Sequence, residues 1–135
     1  RSVIEQLVYE LSRAHDTESR GVRIETDIEE AEVQPKDSFV LGVAVNELVT
    51  NALKYAFPGG EPGTVWVSLS EQDDGTLRVV VRDDGVGVPD EEFAGRSYGF
   101  GLSLVESLVG DGDGAFRLRR NRGTEAEILF VPSGQ

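Results

Sequence analysis

The sequence contains no cysteine and only one histidine, His15, among its 135 residues. Without cysteine the chain has no disulfide bond, no zinc–thiolate site and no thiol nucleophile, and a single imidazole excludes a metal site built from several histidines. Long apolar runs are also absent, so the sequence predicts neither a membrane span nor direct membrane contact. Lysine is almost as scarce, since Lys36 and Lys54 are the only two.

Positive charge is in short supply, because 25 acidic residues face 13 basic ones and the formal net charge is -12. A surface this negative repels phosphate backbones, which argues against nucleic acid as a partner, whereas a small nucleotide needs only a local site. The hydrophobic fraction of 39% is typical of a globular protein, and we predict one domain over residues 1–135. No signal-peptide pattern opens the chain, and its first residue is Arg, so we expect a fragment of a longer protein. We expect this fragment to be cytoplasmic, whether the longer protein is soluble or membrane-anchored.

Hydrophobic periodicity predicts an alternation of helices with strands that pair mainly as hairpins. The predicted helices are Ser2–Ala14, Asp37–Ala56 and Phe100–Val109, and the predicted strands are 21–28, 64–70, 76–83, 114–120 and 124–132. Because hairpins dominate this order, we predict an α/β (α+β) two-layer sandwich with a mixed, mostly antiparallel sheet and helices on one face.

Two asparagines, a glutamate and a lysine interrupt the long apolar helix in the stretch NELVTNALKYAFP. Glu47, Asn51, Lys54 and Tyr55 follow one another at i, i+4, i+7 and i+8, which places them on one helical face. The other sides of the helix are apolar, so this polar stripe either meets water or faces a specific ligand. Carboxylate and amide oxygens suit magnesium, and a lysine suits phosphate, which favours the second interpretation.

Two glycine motifs point to the same ligand class. The segment DDGVGVP, from Asp83 to Pro89, contains D-x-G-x-G directly after a strand, and YGFGLSLV, from Tyr98 to Val105, contains G-x-G at a predicted helix start. Glycines at a helix start let backbone N–H groups approach phosphate oxygens. A buried aspartate at a strand end can accept a hydrogen bond from an exocyclic amine such as that of adenine.

In this order and spacing, the three segments resemble the N, G1 and G2 boxes of the GHKL ATPase superfamily, whose members share the Bergerat fold. The resemblance is strongest to the catalytic, ATP-binding domain of bacterial sensor histidine kinases. Three segments look like the sequences of the subfamily near the HWE and light-sensing LOV kinases: NELVTNALKYAFP, GFGLSLVESLV and GTEAEILF. Asn46 stands where the HWE group has histidine, so the chain is placed beside that group.

The resemblance implies roles for the residues of the polar stripe. Asn51 would coordinate the magnesium ion that bridges the phosphates of ATP. Glu47 occupies the position that activates the attacking nucleophile or helps to hold the metal, and it is expected to be catalytic together with Lys54. Lys54 and Tyr55 would contact phosphate and ribose.

The resemblance also implies roles for the two glycine motifs. Asp84 would accept a hydrogen bond from the adenine amino group, with Thr124 assisting it directly or through water. The glycines of the first motif, Gly85 and Gly87, would let the chain pass close to the base. The phosphates would be flanked by four residues of the second motif: Gly99, Phe100, Gly101 and Leu102.

The resemblance implies a domain that binds Mg-ATP and transfers the γ-phosphoryl group to a histidine on a separate dimerisation domain, from which it passes to a response regulator. His15 lies in the context RAHDTE, which lacks the expected acceptor pattern, so the acceptor would lie elsewhere. Two alternatives stay open. One is a serine kinase of the anti-sigma-factor type, which binds a sigma factor and phosphorylates an antagonist. The other is a degenerate, non-catalytic adaptor.

Overall fold

The computed structural model describes residues 3–31, 33–57, 60–85, 114–120 and 122–132. Three helices and five strands lie within these ranges. In chain order they are α1 (Val3–Ala14), α2 (Thr17–Arg20), β1 (Val22–Ile28), α3 (Pro35–Tyr55), β2 (Gly63–Glu71), β3 (Leu77–Asp83), β4 (Ala115–Arg120) and β5 (Thr124–Phe130).

The boundaries of the elements follow the sequence patterns to within about two residues. Helix α3 begins earlier than predicted, at Pro35, because a proline in the first turn lacks only an N–H that has no partner within the helix. The single turn α2 was not predicted, since it is too short to show periodicity between the left-handed residues Asp16 and Gly21. The predicted helix Phe100–Val109 lies outside the described residues.

The five strands of the described ranges form one sheet in the order β1-β2-β3-β5-β4. Strand β1 pairs with β2 in parallel, and the other three pairings are antiparallel. The long helix α3 provides the crossover that a parallel pair requires. The prediction of a mixed, mostly antiparallel sheet is therefore confirmed.

The hydrophobic core lies between the sheet and the helices α1 and α3. Along β2 and β3 every second side chain is buried, as expected for strands with one face on a core. Helix α3 supplies the opposite wall, and α1 adds Ile4 and Val8 beside it. This arrangement confirms the two-layer architecture with helices on one face.

The outer face of the sheet is held by charged and aromatic side chains. Glu127 is only 6% exposed, and it accepts hydrogen bonds from Arg78 Nε at 2.6 Å and Arg119 Nη2 at 3.0 Å. Burial raises the pKa of Glu127, but the arginine contacts outweigh it, so the pKa lies below its ordinary value. Beside this cluster the guanidinium carbon of Arg82 lies 4.7 Å from the centre of the Trp66 ring, in cation–π geometry.

No helix of the described residues is long and apolar enough to cross a membrane.

The turn between β4 and β5 brings Gly123 against the end of β3. Gly123 has a φ of 133°, and a β-carbon there would collide with the carbonyl oxygen of Asp83. We therefore expect Gly123→Ala to lower the free energy of unfolding by about 2 kcal/mol, measured by urea denaturation. Gly42→Ala is the control, because a β-carbon at that helical position meets nothing within 4 Å. It should leave stability unchanged or raise it by up to about 1 kcal/mol. Equal losses in both variants would contradict the close approach at Gly123.

Candidate nucleotide-binding site

The candidate site lies where the last turn of α3 meets the end of β3. A β-carbon on Gly85 would collide with the carbonyl oxygen of Ala56, the residue that caps α3. Only glycine therefore allows the two backbones to approach this closely. The contact joins the first glycine motif to the helix that carries the polar stripe, so the structure brings these two predicted parts of the site together.

Asp83 is the buried carboxylate at this junction. It ends β3 on the helix-facing side, in line with Leu77, Val79 and Val81, and it is 5% exposed. Its Oδ1 accepts hydrogen bonds from the backbone N–H of Gly85 at 2.9 Å. The same oxygen accepts a longer hydrogen bond, of 3.3 Å, from the N–H of Thr124, which lies opposite it on β5. Both donors bind one oxygen and fix the orientation of the carboxylate.

Burial raises the pKa of the Asp83 carboxyl above its ordinary value, and the neighbouring Asp84 adds to the rise. The N–H donors of Gly85 and Thr124 act in the opposite direction but do not cancel it. A charged carboxylate at this position therefore costs the folded state stability, which is typical of a group kept for binding or catalysis.

Asp84 occupies a different place from the one its expected role requires. Its side chain is exposed, and its Oδ1 accepts a hydrogen bond from the N–H of Thr64 at 2.8 Å. The backbone N–H of Asp84 donates back to Thr64 O at 3.3 Å, so Asp84 extends the pairing between β2 and β3. The buried aspartate at the strand end is thus Asp83. Thr124 likewise contacts Asp83, where its expected partner was Asp84.

Sequence reasoning could have found Asp83. It is the first residue of the D-x-G-x-G motif, and the alternation along β3 places it on the buried face with Val79 and Val81. Asp84, one residue further, falls on the opposite side of the chain because side chains of a strand alternate.

The residues of the polar stripe lie along the second half of α3. Glu47 lines an open groove of about 940 Å³ between α3 and α1, together with Asn46. Asn51 is half-buried one turn further on, and Lys54 is exposed in the last turn. Tyr55 is the last residue of the helix. Lys54 and Tyr55 are therefore the residues of the stripe nearest in sequence to the Gly85–Ala56 contact, and Asn51 lies one turn before them.

Several predicted site residues lie outside the described residues. They are Gly87 of the first glycine motif and four residues of the second: Gly99, Phe100, Gly101 and Leu102.

The described residues contain no group of three or more histidine, cysteine, aspartate or glutamate side chains that could hold a metal ion. A site for magnesium built on Asn51 would therefore rely on one or two protein oxygens, with phosphate and water completing the shell. Magnesium is commonly held in this way beside a nucleotide, so the donor set of Asn51 and Glu47 fits that ion.

Comparison with known proteins identifies the family. The family of histidine kinase-, DNA gyrase B- and HSP90-like ATPases matches residues 36–135. The chain therefore belongs to this family, which confirms the resemblance found in the three sequence motifs.

Two similar proteins are sensor histidine kinases. The chain is 38% identical over 97 residues to the sensor histidine kinase PdtaS of Mycobacterium tuberculosis, which covers 69% of this chain and 19% of that protein. It is 30% identical over 121 residues to the blue-light-activated histidine kinase 2 of Erythrobacter litoralis, with 89% of this chain and 34% of that protein covered. The chain thus spans between a fifth and about a third of these relatives and corresponds to their catalytic ATPase domain.

The fold of this chain is also similar to that of a solved histidine kinase structure. The solved structure of the blue-light activated histidine kinase EL346 of Erythrobacter litoralis superposes with a TM-score of 0.83 at 23% identity, covering 97% of this chain and 44% of that one. The superposed part includes the segment before residue 36, so α1, α2 and β1 belong to the shared fold.

A different kind of protein within the family is also similar. The anti-sigma F factor of Heyndrickxia coagulans is 35% identical over 77 residues, covering 50% of this chain and 52% of that protein. The alternative of an anti-sigma-factor-type serine kinase is therefore also matched by a similar protein. That match covers a shorter stretch of the chain than the matches to the two histidine kinases.

The raised pKa of Asp83 makes stability depend on pH. Because the folded state holds this proton more tightly than the unfolded state, the stability contributed by Asp83 is complete in acid. It falls as the pH rises through the folded pKa. We expect Asp83→Asn to remove this fall, so that the variant is no less stable than the wild type at neutral pH. The free energy of unfolding, measured by urea denaturation at several pH values from the acid range up to about pH 7, shows whether this fall is present. Asp73→Asn, at an exposed side chain in the turn between β2 and β3, is the control and should keep the wild-type slope. An unchanged slope in Asp83→Asn would contradict the assignment.

Proposed function

We propose that this domain binds Mg-ATP and transfers the γ-phosphoryl group to a histidine on a separate dimerisation domain of a two-component sensor kinase. From that histidine the group would pass to an aspartate of a response regulator. Because the reaction uses ATP and a regulator inside the cell, the proposed location is the cytoplasm. The observation that carries the proposal is the buried Asp83 carboxylate, oriented by two backbone donors beside the last turn of α3.

The adenine half of the proposed site is built on Asp83. A carboxylate is an acceptor only, so it can receive a hydrogen bond from the exocyclic amine of adenine and repels the oxygen that guanine presents at the same place. Two N–H donors hold Oδ1, and the described residues supply no donor for Oδ2. That oxygen is the proposed acceptor for the base. We assign to Asp83 the role first expected of Asp84, with Thr124 as its support.

The phosphate half of the proposed site is built on α3. Asn51 would hold magnesium through its amide oxygen, and Lys54 would place a positive charge beside the phosphates. Glu47, one turn before Asn51, would orient the incoming nucleophile or assist the metal. The ion, when bound, neutralises charge on the phosphates. Phosphoryl transfer requires mainly such positioning and neutralisation from the protein, and these residue types supply both.

The remaining residues of the proposed site come from the resemblance to the family. Tyr55 would contact the ribose, and Gly85 and Gly87 would let the chain pass close to the base. Backbone N–H groups from Gly99 to Leu102 would approach the phosphates.

An anti-sigma-factor-type serine kinase is the second candidate, favoured by the similarity to the anti-sigma F factor. The proposed nucleotide site would be the same, but the acceptor would be a serine of an antagonist protein. A non-catalytic adaptor would lack nucleotide binding altogether. The three candidates therefore differ in whether nucleotide binds and in which amino acid receives the phosphoryl group.

The nature of the phosphorylated product separates the two kinases. We expect the full-length protein, incubated with γ-labelled ATP, to carry label that acid removes and base preserves, because a phosphoramidate on histidine is acid-labile. Electrophoresis after acid treatment and after base treatment measures how much label the protein retains. Label that survives acid and appears on a separate antagonist protein would favour the serine kinase.

Nucleotide binding can be tested on the domain itself by calorimetric titration with an unhydrolysable ATP analogue. We expect Asn51→Ala to weaken binding about tenfold with magnesium and to change metal-free binding little, because Asn51 would act through the metal. Asp83→Asn should abolish binding in both conditions, whereas Asp84→Asn should retain it. Asn46→Ala is the matched control, since it makes the same change on the same helix outside the stripe.

Two outcomes would contradict these assignments. Equal losses with and without magnesium would remove Asn51 from the metal. No binding by the wild-type domain at millimolar analogue would favour the adaptor.

A further inference from the structure

Arg20 contacts the helix that carries the phosphate half of the proposed site. Its guanidinium Nη2 donates a hydrogen bond of 2.6 Å to the carbonyl oxygen of Leu53. Leu53 lies in the last turn of α3, two residues after Asn51 and one before Lys54. The last carbonyls of a helix lack partners within it and carry partial negative charge, so a half-buried cation there is a favourable partner.

The position of Arg20 is fixed by the short helix α2. Thr17, at the start of α2, is 3% exposed, and its hydroxyl lies 2.5 Å from the hydroxyl of Ser12 near the end of α1. At the other end of α2, Gly21 has a φ of 74°, and its carbonyl oxygen accepts a hydrogen bond of 3.4 Å from Gly63. Arg20 is therefore held from both sides.

These contacts form a closed path around the end of α3. From Gly63 the chain passes to Thr64, which is bound twice to Asp84. Asp84 is followed by Gly85, whose backbone lies against the carbonyl oxygen of Ala56, three residues beyond Leu53. The path thus returns to the last turn of α3, and Arg20 closes it. The path therefore links the end of β3, where Asp83 lies, to the last part of α3, where Asn51 and Lys54 lie.

We infer that Arg20 is a positioning residue for the nucleotide site: it holds the last turn of α3, with Asn51 and Lys54, in register with the Asp83 end of β3. The inference rests on the proposed function, because the register matters for a ligand that contacts both halves. Arg20 itself is bonded to a backbone carbonyl and acts on the ligand only through α3. Loss of Arg20 should therefore affect phosphate and metal contacts more than contacts with the base.

Two probes separate the halves of the site. Adenosine can contact only the adenine half, whereas magnesium with an unhydrolysable ATP analogue contacts both. We expect Arg20→Met to weaken binding of the magnesium-bound analogue about tenfold and to change adenosine binding less than about twofold, because one charge-assisted hydrogen bond is lost. Calorimetry or NMR titration well below the melting temperature measures both affinities.

Further variants make the comparison specific. Arg23→Met is the matched control, since Arg23 lies three residues away and pairs with the exposed Glu25. It should change neither affinity. Arg20→Lys keeps a cationic donor and should recover part of the binding of the analogue. If Arg20→Met does not fold, Arg20→Gln gives the same comparison with a shorter, neutral donor.

The outcomes distinguish this inference from the proposed function. If the wild type binds both probes but the Arg20 variants lose both equally, or lose neither, Arg20 has only a structural role and the inference is overturned while the proposed function stands. If the wild type binds neither probe, the proposed function fails and the positioning role fails with it. Selective loss of the analogue, recovered by Arg20→Lys, supports the inference.

Discussion

The close approach of Gly85 to the carbonyl oxygen of Ala56 is the contact on which the rest of the site depends. It joins the end of the long helix α3 to the end of the central strand β3, with no side chain between the two backbones. A helix is stiff, so fixing its last turn also fixes the direction in which Asn51 points. The hydrophobic core beneath holds the two layers together, and the contact at Gly85 determines how their ends meet.

Under the proposed function, stability and binding make opposite demands on the buried Asp83. An uncharged side chain would suit the buried end of β3, yet the chain places a carboxylate there and raises its pKa by burial. The two backbone donors of Gly85 and Thr124 offset part of this cost and orient the group. In the proposed site, the domain would thus give up some stability for an acceptor of fixed direction, as proteins commonly do at functional sites.

Most of the fold could be predicted from the sequence, because the alternation in β2 and β3 and the apolar faces of α1 and α3 are strong, local signals. The single turn α2 could not, since one turn carries no periodicity. In the site, the polar stripe and the glycine at position 85 follow from local pattern. The choice between Asp83 and Asp84 depends on which face of β3 is buried. The contact of Arg20 with Leu53 joins residues 33 positions apart in the sequence, so no local sequence pattern predicts it.

The parallel pairing of β1 with β2 has a consequence for any attempt to shorten the domain. The family match begins at residue 36, after β1, yet β1 covers one whole side of β2 from Gly63 to Leu69. A protein trimmed to the matched residues would leave β2 as an edge strand with its hydrogen-bonding groups open along the segment VWVSL. Unprotected apolar edges recruit strands from other molecules, so the trimmed protein would tend to aggregate. Residues 3–28 thus cover this edge of the sheet as well as contributing to its core.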